Sequence, residues 1–470
     1  MHACRASSPA RPKSCSRLSG ARSDCRTSWN SNVWVPARGR QAGRTGILTF
    51  DPAVVHRPAR HDSTLHRNDT AGLYMDLELH PKHESLRGEV RAFLARHGHQ
   101  AATLQHGRRP GPAQLAWQKL LLEHGYTGRT VPREYGGYGA EPDVMEQHLI
   151  TEEFARAGVP LGLGSQGISM LVPTLLELGT NAQKRELIAP TLRGELVWCQ
   201  GYSEPNAGSD LASLQTRGVD DGDDFIVNGQ KIWTSTAHEA DMIFCLVRTE
   251  RDAPKHAGIS YLLFSMKTPG ITIRRLKTMT GRAEFNEVFF TDVRVPQRQI
   301  VGKRGEGWAV ANATLRHERA YLANPAALLG RYSELAKLMR SETVDGEPVM
   351  SDPLLSDRLM RLQGRVLAQH CHGMRLLTHA SRNENPGLPG LVTKLYGCET
   401  RYQIDVLALD ALGEIGMLTE EDPRVRSGGE WQHREGFDLG LIIGGGTAQI
   451  QKNIIAERGL EMPREPKLAI

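Results

Sequence analysis

Gly201-Tyr202-Ser203-Glu204-Pro205-Asn206-Ala207-Gly208-Ser209-Asp210, followed at a short distance by Asn228-Gly229-Gln230-Lys231-Ile232-Trp233-Thr234-Ser235, is the stretch on which the reading of this chain turns. Small hydroxyls and glycines let a backbone come close to a pyrophosphate or a flavin edge and offer it N–H and O–H donors. Trp233 adds a flat apolar face. Asn228-Gly229 lies between the strand-like run Phe225-Ile226-Val227 and a second short run, Ile232-Trp233, the usual sign of a tight hairpin turn, so the sequence predicts hydroxyls and indole carried on a sheet. Either half alone reads equally well as ordinary turn chemistry and a core aromatic.

Taken in this order, the two halves resemble the signatures of the acyl-CoA dehydrogenase family: a Ser/Thr-Glu-Pro-x-x-Gly-Ser-Asp segment and an Asn-Gly-x-Lys-x-Trp-x-Ser/Thr segment. Pro132-Arg133-Glu134-Tyr135-Gly136-Gly137 is similar to a third family element. The resemblance spans about Met75 to Pro466. It implies an FAD-dependent enzyme that desaturates an acyl-CoA thioester to the trans-2-enoyl-CoA and passes its electrons to an electron-transferring flavoprotein.

Hydrophobic periodicity gives an independent outline. Leu86, Val90, Phe93 and Leu94 mark one buried helical face, and helical spacing continues around Leu115–Leu122, Val144–Phe154 and Ser169–Leu178. Near Val197 the period becomes strand-like, with Ile243–Val247, Ile259–Phe264 and Val288–Phe290 as short apolar runs between turns. Beyond Gly305 the helical period returns at Leu355, Leu359, Leu362 and Val366. The predicted fold class is α+β, with three parts matching the family's architecture: a helical domain at 75–195, a β-barrel or sandwich domain at 196–304 and a four-helix bundle domain at 305–470. No internal repeat is evident.

Residues 1–74 stand apart. They hold 12 Lys and Arg against 4 Asp and no Glu, whereas the rest carries 46 basic and 49 acidic residues. An Arg-, Ser-, Pro- and Gly-rich segment without periodicity is expected to be disordered. Its composition suits a transit peptide, but it lacks an amphipathic Arg helix, which favours an over-extended start or a dispensable tail. The near-neutral body argues against a nucleic-acid surface, and no apolar run is long enough to cross a bilayer. Use of 45 Arg against 13 Lys fits GC-rich coding and a bacterial cytoplasm, with the mitochondrial matrix as the lesser alternative. Cys199, Cys245, Cys371 and Cys398 lie in apolar segments and are expected to be reduced core thiols.

Desaturation needs a base for the α proton, and a carboxylate in a dry site serves. The family's common base is a Glu near the C-terminus in a Tyr-Glu-Gly-Thr segment; here that stretch is Gly444-Gly445-Gly446-Thr447, with Gly445 at the Glu position. A second family solution places the base on the helix after the β domain, just before an Arg. Leu315-Arg316-His317-Glu318-Arg319 matches it, making Glu318 the candidate base and Arg319 the candidate contact to the CoA portion, with His317 structural. An isolated Glu beside arginines is more often a surface ion-pair member. Gly445 retains its backbone N–H, which the family uses with a flavin ribityl hydroxyl to bind the thioester oxygen. The glycine run precedes a predicted helix, Ile450–Ala456, whose free N–H groups suit phosphate or flavin oxygens. The resemblance further assigns Ser203, Gly208 and Ser209 to flavin, pyrophosphate and substrate contacts, Trp233 to the isoalloxazine face, Ser235 to the N5 region, and Thr447 and Gln449 to the cofactor.

Two family elements are altered. The region after Leu329-Gly330-Arg331-Tyr332 lacks the Arg-x-x-Phe-Gly segment that reaches a neighbour's FAD, and Gln-x-x-Gly-Gly-x-Gly becomes Asp410-Ala411-Leu412-Gly413-Glu414-Ile415-Gly416. Similar departures occur in a family branch with Gly-Gly-Gly-Thr tails, which includes subunits of bacterial heterotetramers acting on bulky acyl-CoAs. The expected assembly is thus a homotetramer or a heterotetramer with a related subunit. Rival readings are a non-catalytic partner subunit, or an oxygen-using oxidase or monooxygenase on the same fold.

Overall fold

The computed structural model describes residues 79–102, 109–322, 325–344 and 346–464, without the side chains of 319–322 and 326. The expected disorder of residues 1–74 therefore concerns positions outside the described residues.

Helix α1, Pro81–His97, starts on a proline and buries Leu86, Val90 and Phe93 as its spacing predicts. It packs with α2 (Pro112–Glu123) and α3 (Val144–Ala157), which is capped by Asp143 accepting from the N–H groups of Met145 and Glu146. Phe93 sits at the centre, its ring 4.6 Å from Tyr126, 5.9 Å from Trp117 and 6.3 Å from Phe154. Burying each such ring stabilises the fold by roughly 1.5–3 kcal/mol. A single π-helical turn, Gly167–Leu171, runs into α4 (Val172–Leu178), and α5 (Asn181–Leu192) opens with a Thr180/Gln183 capping box.

The chain then enters an eight-stranded sheet: β1 (Trp198–Gly201), β2 (Arg217–Asp221), β3 (Asp224–Lys231), β4 (Met242–Arg248), β5 (Ile259–Ser265), β6 (Ile271–Leu276), β7 (Phe285–Pro296) and β8 (Ile300–Val301). The order is β6-β7-β3-β2-β4-β5-β8, with β1 lying parallel to β4 so that Gln200 faces Phe244. One expectation fails here. Asn228-Gly229 is not a hairpin turn but a bulge inside β3, where the register to β7 shifts between Val227 and Gly229. Gly229 has φ of 150° and a Cβ there would meet Thr216 Oγ1 at 2.5 Å, so the glycine serves close backbone approach rather than reversal. The reversal falls earlier, between β2 and β3, and Ile232-Trp233 lies beyond the strand rather than forming one.

After the sheet come α6 (Gly307–Leu322), α7 (Pro325–Ser341), α8 (Pro353–Ser381), α9 (Leu388–Leu412), α10 (Glu430–Ile443) and the short α11 (Ala448–Ile454). Leu359, Leu362 and Val366 of α8 pack with Leu335, Met339, Ile404 and Leu407 as the bundle core. A separate core joins Leu171, Leu175 and Ile188 of the first helices to Tyr261 and Leu263 of the sheet and Val310 of α6, so α6 is seated on both. The α+β architecture of helices, sheet and helices is as predicted. Cys199, Cys245 and Cys398 are buried free thiols; Cys371, expected in a core, is exposed on α8, because its position falls off the stripe of Leu359, Leu362, Val366 and Gln369. Among the described residues no helix is long and apolar enough to cross a membrane.

Candidate active site

The two signature segments, 27 residues apart, are bolted together by a charge pair inside the protein. Lys231, fully buried on β3, places its ammonium 2.8 Å from Glu204 Oε1 and donates to the Tyr202 carbonyl at 3.1 Å. Glu204 also accepts from the N–H groups of Gln215 at 2.6 Å and Thr216 at 2.9 Å. Burial alone would raise this carboxyl, but Lys231 and these donors hold it below its ordinary value. Next to the pair, Ile232 N–H donates to the Ser203 carbonyl at 2.9 Å, so Ser203 and Trp233 become neighbours. In sequence Glu204 and Lys231 are only motif letters, and their partnership is visible only in the fold.

Trp233 is 58% exposed and sits at φ of 60°. A left-handed backbone under a bulky side chain costs on the order of 1–3 kcal/mol and persists only where neighbours impose it. They do so on both sides: Ile232 bonds to Ser203, and Thr234 N–H donates to the Asn286 carbonyl at 3.0 Å. The indole meets Phe285 edge-on at 5.9 Å; Phe285 stacks on Phe437 of α10 at 6.4 Å. Indole and bundle helix are thus linked through two rings.

Glu318 approaches from the opposite direction. On α6 the buried Val310, Ala311 and Thr314 define the inward face, and Glu318 follows Thr314 by one helical turn. It is half-buried, and the Gln200 side-chain amide of β1 reaches its Oε2 at 3.4 Å, three residues before Ser203. The carboxylate is therefore directed along the sheet end that carries the first signature. Arg316, two positions earlier, points away to Glu177 at 2.9 Å. His317 is half-buried; burial and then Arg316 hold its imidazole below the usual range, and its Nε2 has no hydrogen-bond partner among the described residues. The side chain of Arg319 lies outside the described residues.

At the far end of α10, Gly444 N–H closes the helix on Gly440 O at 2.7 Å, and Gly445 and Gly446 follow at φ of 63° and 89°. Thr447 caps α11, its hydroxyl accepting from Ile450 N–H at 3.1 Å while keeping its own O–H to donate. The predicted helix over 450–456 starts two residues earlier, at Ala448, so one of its free N–H groups is already met by Thr447. Gln449 is exposed. Gly208 and Ser209 are also exposed, in the turn after Ser203.

This donor set fits a flavin nucleotide. The hydroxyls of Ser203, Ser209 and Ser235 make no hydrogen bond among the described residues, Thr234 Oγ1 is buried without a partner, and a Cβ at Gly208 would meet nothing within 4 Å. Free donors beside an exposed, rigidly held indole suit a pyrophosphate and a flat ring system. Ser203 is tied to Ile232 beside Trp233, Trp233 reaches α10 through Phe285, and Glu318 is linked to β1 through Gln200; Ser209 and Gln449 are exposed.

Comparisons with known proteins agree. Family models for the acyl-CoA dehydrogenase N-terminal, middle and C-terminal domains match residues 80–195, 199–293 and 305–460. The chain is 38% identical over 394 residues to acyl-CoA dehydrogenase IpdE1 of Mycobacterium tuberculosis, covering 82% of this chain and 99% of that protein. Among solved structures it is similar to the Tcur3481-Tcur3483 steroid ACAD, with a TM-score of 0.70 and 30% identity over 83% of this chain and 100% of that one. The ChsE4-ChsE5 complex from Mycobacterium tuberculosis matches with a TM-score of 0.67 and 30% identity, covering 83% and 100%. With signatures, architecture and all three domain models in agreement, the chain belongs to the acyl-CoA dehydrogenase family, a family of FAD-dependent oxidoreductases.

Proposed function

We propose that this protein is a dehydrogenase of bulky acyl-CoA thioesters, with Glu318 removing the α proton. The observation that carries the reading is the half-buried Glu318 carboxylate held toward the first signature by Gln200, in a chain whose rival base position is Gly445. Glu318 takes the proton as the Cα–H bond breaks, and the Gly445 N–H meets negative charge as it grows on the thioester oxygen. Ser203, Gly208, Ser209, Trp233, Ser235, Thr447 and Gln449 would hold FAD, which when bound supplies the acceptor for the β hydride. Arg319 and Ser209 are proposed to contact the substrate. A dry site favours proton transfer to a carboxylate, and such a positioned base contributes about 10²–10⁴-fold.

The bulky-substrate reading rests on the similar chain described as a steroid ACAD. That neighbour and the ChsE4-ChsE5 complex each pair two components, which supports assembly with a related subunit. The family resemblance supports electron transfer to an electron-transferring flavoprotein, and bacterial relatives such as IpdE1 support a bacterial cytoplasmic setting. Within this chain Asp410, in the altered glycine element, pairs with Arg358 at 2.6 Å. Anaerobic mixing of the flavin-loaded assembly with a panel of acyl-CoAs, including steroid-ring acyl-CoAs, tests the proposal. Glu318→Gln should keep its FAD and lose substrate bleaching by about 10²-fold or more. Full bleaching by that variant would refute Glu318 as base, and a colourless but folded assembly would favour a non-catalytic partner.

A further inference from the structure

Lys394 has no place in the reading of the site so far. It lies on α9, only 3% exposed, where an ammonium is heavily penalised unless oxygen atoms replace its water. Its oxygen contacts include backbone carbonyls on either side of Gly445: Gly446 O at 2.8 Å and Ile442 O at 3.4 Å. Ile442 belongs to the last turn of α10, where unpaired carbonyls carry the negative end of the helix dipole. One cation therefore bridges the end of α10 and the start of the next segment, spanning the glycine turn.

The turn needs such a brace. Gly445 and Gly446 both occupy left-handed backbone, and two adjacent glycines have more accessible conformers than any other pair. A donor aimed at developing charge accelerates a reaction only when it is already in place. In a trans peptide the C=O and N–H point in opposite directions. Lys394 on Gly446 O and the Gln451 amide on Gly445 O at 3.3 Å thus fix both peptides downstream of Gly445, while Gly444 is tied back to Gly440. The Gly445 N–H is held between these anchors.

We propose that Lys394 is a positioning residue that staples Ile442 to Gly446 and so presents the Gly445 N–H to the thioester oxygen. The proposal rests on the oxyanion role read for Gly445 above. It involves no covalent or redox step of its own.

The flavin-loaded protein is titrated with acetoacetyl-CoA, whose enolate carries the negative charge that the turn would receive, and the enolate is read from its ultraviolet band. Wild-type protein should enrich the bound enolate over free acetoacetyl-CoA at the same pH. Lys394→Met should lose that enrichment by about tenfold to a hundredfold and lower kcat by a similar factor, with KM within about twofold and FAD content unchanged. Lys394→Gln, which keeps an N–H donor, should recover part of it. Absence of enrichment in wild type overturns the Gly445 reading itself. Enrichment in wild type with an unchanged Lys394→Met overturns the staple alone. If Lys394→Met does not fold, Gln451→Leu decides: loss of enrichment supports a braced turn, and wild-type enrichment overturns it.

Discussion

Two of the buried charge clusters in this molecule are built to different standards. At the seam of the signatures, Lys231 meets Glu204 and the Tyr202 carbonyl, and both Glu204 oxygens accept further N–H groups. In the bundle, Arg331 donates to Asp405 at 2.7 Å and lies 3.4 Å from Asp438, which Arg401 also contacts at 2.8 Å. Yet Arg331 Nη2, Asp405 Oδ2 and Asp438 Oδ1 are buried with no hydrogen-bond partner among the described residues. Burial pushes the Asp405 carboxyl up to about 8 against the pull of Arg331, with Asp438 adding to the rise. A proton on Asp405 turns an acceptor into a donor, and Asp438 is the neighbour able to take it. The saturated pair fixes one geometry regardless of mild pH change, while the under-filled cluster depends on a bound proton.

Breaking the seam should have the largest effect. Lys231→Met leaves Glu204 buried and unpaired, a change that costs about 3–5 kcal/mol; thermal melting should fall steeply, with flavin released before the bundle unfolds. The bundle is probed by pH. Asp405 keeps its proton in the fold up to about 8, whereas an unfolded-chain aspartate loses it near about 4. The folded state therefore binds more protons between these values, and stability falls as pH rises through the window. A melting temperature lower at pH 8 than at pH 5 is expected, and Asp405→Asn should flatten that slope without moving the dependence due to Glu204. The smallest change tests the link between the two regions. Phe437→Leu removes the ring stacked on Phe285, and an aromatic pair of this kind is worth about 0.5–1.5 kcal/mol, so flavin affinity should weaken about two- to tenfold in equilibrium titration.

Much of this was legible from residue order. The alternation of helical and strand periods marked the three parts, and the pattern of Leu86, Val90 and Phe93 or Leu359, Leu362 and Val366 named buried faces correctly. Glu318 stands out in the sequence because glycine occupies the rival base position at 445, and in the fold it is half-buried beside Gln200. Other features were hidden by long-range geometry. Asn228-Gly229 has the letters of a turn, and only the pairing of β3 with both β2 and β7 reveals a bulge. Lys394 reads as an ordinary helix cation, since its burial depends on α10 crossing α9 and on carbonyls roughly fifty residues away. Cys371 reads as a core thiol by its residue type, although it is flanked by His370 and His372 and its direction on α8 is outward.

The left-handed backbone at Trp233 sets protein engineering against itself. Glycine or asparagine would relax that position and raise heat resistance, so a selection scored on survival at high temperature would drift toward them and discard the indole. Directed evolution of a tougher catalyst therefore has to screen colour and turnover alongside robustness, or this residue will be among the early casualties.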